Sequence, residues 1–82
     1  MYDLKIFGRN LKRWRQFRGL IQEELAEKVG LSKGTISRAE LAKEGNIGLK
    51  HVISICKVLN VKIEELFVED PECKYLRKEN QK

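Results

Sequence analysis

Residues 19–40 run Gly19-Leu20-Ile21-Gln22-Glu23-Glu24-Leu25-Ala26-Glu27-Lys28-Val29-Gly30-Leu31-Ser32-Lys33-Gly34-Thr35-Ile36-Ser37-Arg38-Ala39-Glu40. Leu25, Ala26 and Val29 recur at helical spacing and predict a short helix over about 22–29. Gly30 ends it and takes the backbone through a turn that a Cβ would obstruct. Ser32 is a good N-cap for a third helix starting at Lys33, with Ile36 and Ala39 turned inward. The small Ala26 lets the two helices approach closely, and Ile36 plugs the gap between them. Two short helices about a tight turn, the second with small polar and basic residues outward, follow the physical plan of a helix-turn-helix.

The flanks are helical too. Phe7, Leu11, Trp14 and, less squarely, Phe17 predict a first helix over about 4–18, with Asp3 as its cap and Gly19 as its stop. Trp14 reads as core. Helix 3 is expected to continue to about Lys43 and to end at Gly45. Gly45, Asn46 and Gly48 mark a loop. Leu49, Val52, Ile53, Cys56 and Leu59 then form one apolar stripe of a fourth helix ending at Asn60. Ile55 projects away from that stripe, a candidate for lining a dimer seam with Val58. Ile63, Leu66 and Phe67 suggest a short fifth helix, and Pro71 breaks the pattern. The expected division is a domain over 1–69 and a polar tail over 70–82. The expected fold class is all-α, a five-helix orthogonal bundle rather than a four-helix bundle of long rods.

Size and charge narrow the function. At 82 residues the chain has room for one short domain. No apolar run approaches the ~20 residues of a membrane helix. Met1-Tyr2-Asp3-Leu4-Lys5 lacks the basic-then-apolar plan of a signal peptide. Cys56 and Cys73 lie in an apolar helix and a polar tail, with His51 as the single histidine, which is neither a zinc pattern nor a disulfide framework. A reducing cytoplasm is the expected location. A core this small gains ~3–5 kcal/mol, so dimerisation is the expected supplement. The net charge of +5 is unevenly placed: residues 1–18 hold six basic residues and one acid, whereas 19–30 and 61–70 are net acidic. A basic first helix beside a helix-turn-helix points to nucleic acid.

The motifs Gly19-Leu20-x-Gln22-x-Glu24-Leu25-Ala26-x-x-x-Gly30, Thr35-Ile36-Ser37-x-x-Glu40 and Val61-x-Ile63-x-Glu65-Leu66 occur in order. Together they resemble the Cro/C1-type, or Xre-type, helix-turn-helix family of bacterial and phage transcriptional regulators. The resemblance covers about residues 6–67 and implies a lambda-repressor-like DNA-binding fold with the helix-turn-helix at helices 2–3. It implies that Gln22 contacts phosphate and braces the recognition helix. It implies that Ser32, Lys33, Gly34, Ser37 and Arg38 face the groove, and that Arg15 and Glu40 form a partly buried ion pair. The chemistry supports these roles. Arg38 can read guanine O6 and N7 with two parallel bonds, worth ~1–3 kcal/mol of discrimination. Lys33 offers a point donor, and Thr35 and Ser37 have short hydroxyls suited to phosphate or base edges. Gly34 reads nothing itself but lets the backbone come close. Arg9, Arg13 and Arg18 include at least one expected phosphate contact, and Lys43, Asn46 and Lys50 are loop candidates. The chain departs from the family pattern at Ile21 and Lys62, which stand where helix caps are usual, and at Leu41-Ala42-Lys43-Glu44, which replaces a glycine-containing turn.

The function expected is sequence-specific binding of double-stranded DNA by a homodimeric repressor on a two-fold operator. The alternative is an antitoxin or other interaction protein that silences a partner protein. An enzyme is the weakest class, since no catalytic constellation is visible. No cofactor, metal, membrane or small-molecule ligand is expected.

Overall fold

The structure is a computed structural model, and it describes residues 4–43 and 47–68. Four α-helices are present among them: α1 (Leu4–Phe17), α2 (Gln22–Val29), α3 (Lys33–Glu40) and α4 (Leu49–Leu59). One 3₁₀ turn, η1 (Ile63–Leu66), follows. No strand occurs among the described residues. The expected fifth helix is therefore a single tight turn, and the five-helix count is not met. Glu65 accepts the Lys62 amide across that turn at 2.8 Å, so a side-chain cap closes it from the far side. Expectations for Asp3, Gly45, Pro71, Cys73 and the 70–82 tail lie outside the described residues.

Both ends of α2 and the start of α3 follow from local chemistry. Gly30 leaves α2 at φ 77°, and the Leu31 amide reaches back to the Ala26 carbonyl at 2.9 Å. Ser32 Oγ accepts the Thr35 amide at 3.1 Å and starts α3. Ile21 has no capping side chain, and the Glu24 carboxylate compensates in part by accepting the Ile21 amide at 2.9 Å.

The chain leaves α3 at Glu40, not at Lys43. Ala42 takes the left-handed conformation at φ 62°, and the Lys43 amide closes onto the Arg38 carbonyl at 2.8 Å. The ending is a glycine-type stop built with alanine. α1 crosses the end of α3 at Gly8, where a Cβ would stand 2.5 Å from the Ala39 carbonyl oxygen and 2.8 Å from that of Glu40.

Phe7, Leu11 and Trp14 from α1, Leu25, Ala26 and Val29 from α2, and Ile36 and Ala39 from α3 form one core with Ile55, Leu59 and Leu66. Burial of a large apolar side chain contributes about 1.5–3 kcal/mol. α4 sits in this core rotated from the expected register. Ile55 is fully buried at 0% exposure, whereas Leu49 and Ile53 are 66% and 44% exposed. Ile55 is thus core rather than a seam residue. The apolar residues of α4 spread over more than half the helix circumference, wider than a core stripe of ~100°, so periodicity alone left its rotation open. Cys56 is half-buried beside the core, and burial, aided by the Glu65 carboxylate, pushes its thiol pKa up.

Two groups of contacts hold the ends of the bundle. Phe67 stacks on Phe7 with ring centroids 5.3 Å apart, and buried Asn10 donates from Nδ2 to the Val68 carbonyl at 2.9 Å. Arg18 donates from Nε to the Leu59 carbonyl at 2.7 Å, and its guanidinium lies over Trp14 and Phe17. A cation therefore closes the C-terminus of α4, where the helix dipole favours it.

Candidate nucleic-acid interface

α3 has two faces. Ile36 and Ala39 are buried against α1 and α2, while Ser32, Lys33, Gly34 and Arg38 are exposed and Thr35 and Ser37 are half-buried. Ile36 fixes which way the helix faces. An eight-residue amphipathic helix with one buried aliphatic plug has a single packed rotation, so its outward set is determined. That outward set begins at the helix N-terminus, where unpaired amides carry partial positive charge.

The angle of α3 is set by a polar node. The Glu40 side chain is 2% exposed and accepts three bonds: from Arg15 Nε at 2.6 Å, Arg15 Nη2 at 3.1 Å and Gln22 Nε2 at 2.9 Å. Arg15 Nη1 adds a bond to the Leu20 carbonyl at 2.7 Å. Arg15 belongs to α1, Gln22 opens α2 and Glu40 closes α3, so one carboxylate joins all three helices. The fork geometry gives direction as well as attraction, which suits the pair to fixing a crossing angle.

The outer surface of α3 carries its own small network. Ser32 Oγ and Thr35 Oγ1 are hydrogen-bonded at 2.9 Å, and Arg38 Nη2 donates to Thr35 Oγ1 at 3.4 Å. The Arg38 side chain therefore runs back toward the start of the helix, as long helical side chains do.

The remaining candidates lie on other parts of the chain. Arg9 is exposed on α1, Lys43 is exposed just past α3, and Lys50 is exposed at the start of α4. Asn46 lies outside the described residues. Arg18 is engaged by the α4 carbonyls. Sequence reasoning missed two roles, the cap made by Arg18 and the anchor made by Asn10. Asn10 had a signal, a polar residue embedded among Phe7, Leu11 and Trp14. Arg18 had none, because its partner lies 41 positions away. Among the described residues no group of His, Cys, Asp and Glu is placed to hold a metal ion, and no helix is long and apolar enough to cross a membrane.

The helix-turn-helix family model matches residues 11–66. An HTH-type transcriptional regulator of Archaeoglobus fulgidus is 44% identical over 63 residues, covering 73% of this chain and 89% of that protein. The restriction-modification controller protein C.AhdI from Aeromonas hydrophila is similar in structure, with a TM-score of 0.73, 32% identity, and coverage of 79% of this chain and 97% of that one. The N-terminal DNA binding domain of SinR from Bacillus subtilis is similar at TM-score 0.73 and 29% identity, covering 83% and 99%. SinR in complex with DNA is similar at TM-score 0.68 and 30% identity, covering 73% and 95%.

Proposed function

This chain belongs to the Cro/C1-type helix-turn-helix family of DNA-binding transcriptional regulators, and from that premise we propose that it acts as a sequence-specific repressor, two copies binding a two-fold operator. The observation that carries the proposal is the outward face of α3. Lys33, Gly34 and Arg38 are exposed there, while Ile36 and the Arg15–Gln22–Glu40 node fix the helix from behind. In this reading α3 enters the major groove. Lys33 and Arg38 read base edges, with Ser32, Thr35 and Ser37 serving phosphate or base edges. Gln22, Arg9, Lys43 and Asn46 serve the phosphate backbone, which sets register and salt dependence without reading sequence.

The second copy is supported by Leu49 and Ile53, which leave an uncovered apolar edge on α4. A two-fold pair would place its half-site centres about one DNA turn apart, ~34–36 Å. Selection of sites from random-sequence duplexes tests the proposal. Enrichment of one two-fold related sequence, bound by two copies, is the expected result. Recovery of no preferred sequence would refute it.

The same edge favours a second reading, an interaction protein whose main occupant is a different chain. Co-purification of a small partner that abolishes DNA binding would support it. Unchanged DNA binding in the presence of every co-purifying protein would count against it.

A further inference from the structure

Gly34 is an unexpected residue at its position. It sits in the first turn of α3 and, among the described residues, is not one of the glycines with positive φ, which are Gly19 and Gly30. Its backbone is thus one that any residue adopts, and alanine is the better helix former. It is exposed, so no packed core excludes a methyl group. A Cβ there meets one close neighbour, Arg38 Nη1, at 3.1 Å, with Arg38 Cζ and Ser32 Oγ next at 3.9 Å. The guanidinium of Arg38 lies across the space that a side chain at residue 34 would fill. Its bond to Thr35 Oγ1 is already long at 3.4 Å, and Thr35 Oγ1 is itself tied to Ser32 Oγ. A methyl group at residue 34 would require the guanidinium to give by a few tenths of an ångström, away from the position in which it meets Thr35 Oγ1.

We propose that Gly34 is a specificity-determining residue that acts through Arg38: its bare Cα is the seat on which the guanidinium rests, and the Ser32–Thr35 hydroxyl pair holds the guanidinium there before DNA arrives. Gly34 is a positioning residue in this account, and Arg38 remains the reader. The inference rests on the DNA-binding reading above. Bidentate contact with a base edge requires placement within about 0.5 Å, and a side chain ordered in advance loses less freedom on binding. The proposal differs from the simpler view that Gly34 lets the DNA backbone approach. On that view an added methyl group meets DNA whatever residue stands at 38.

The test is a double-mutant cycle on the full chain. The probes are the duplex selected from random DNA and the same duplex with the Arg38-dependent base pair replaced. Wild type, Gly34→Ala, Arg38→Ala and the double variant are compared by the affinity ratio between the two duplexes. An intact arginine–guanine pair supplies a ratio of about 5- to 150-fold. Gly34→Ala is expected to reduce that ratio at least about threefold when Arg38 is present and to leave it unchanged in the Arg38→Ala background. Thr35→Val is expected to couple to Arg38 in the same direction. The thermal midpoint of Gly34→Ala is expected to equal or exceed that of wild type, so lost discrimination does not reflect unfolding. Equal losses in both backgrounds, or no loss in either, would overturn the proposal while leaving DNA binding intact. A wild-type chain with no preferred duplex would overturn the underlying reading instead.

Discussion

Removing the Arg15 guanidinium is the sharpest stability perturbation the structure offers. In Arg15→Met the Glu40 carboxylate, with its side chain 2% exposed, loses both bonds from the guanidinium and keeps only Gln22 Nε2. The Leu20 carbonyl loses its 2.7 Å donor as well. Stranding one partner of a buried pair costs about 3–5 kcal/mol, because the remaining charge has neither water nor a counterion. A core of this size rarely supplies more than about 3–5 kcal/mol. The two magnitudes are comparable, so Arg15→Met is expected to be largely unfolded at 25 °C. Urea denaturation followed by far-ultraviolet circular dichroism measures this directly. The wild type should give one cooperative transition, and the variant should start on or beyond it. Arg15→Met/Glu40→Gln should recover part of the loss, since no charge is then left unpaired. An Arg15→Met variant less than about 1 kcal/mol below wild type would refute the reasoning, since a surface-like pair costs no more than that.

Four further outcomes are expected. Gly8→Ala should lower the thermal midpoint although alanine favours helix, because its Cβ would meet the Ala39 and Glu40 carbonyl oxygens inside contact distance; overpacking of this kind costs about 1–3 kcal/mol. Ala42→Gly should raise the midpoint, since the left-handed conformation at φ 62° costs alanine about 1–2 kcal/mol; an unchanged or lower midpoint would count against the turn after α3. Arg9→Ala should flatten the dependence of DNA affinity on salt by about one counterion while leaving the midpoint unchanged, and Arg18→Ala, which uncaps α4, should lower the midpoint.

Much of the helix-turn-helix was legible before any coordinates. Gly30, Ser32 and Ile36 act locally, and local chemistry is what a sequence displays. The end of α3 was not legible, because Ala42 is a poor indicator of a left-handed stop. The rotation of α4 was hidden for a different reason. Its apolar residues outnumber what the core accepts, so Leu49 and Ile53 remain outside while Ile55 goes in. The candidate site divides in the same way. Outward positions on α3 follow from helical period and one inward aliphatic residue. The seat of Arg38 over Gly34 depends on side-chain direction, and the cap made by Arg18 depends on a partner far along the chain.

The central claim is that α3 reads base sequence through its outward side chains. The most direct measurement is the affinity of wild type and Arg38→Ala for the selected duplex at one fixed salt concentration. The account predicts a loss of about 5- to 150-fold for Arg38→Ala on that duplex, with a much smaller loss on unrelated DNA. Equal affinity of the two proteins for the selected duplex would contradict it.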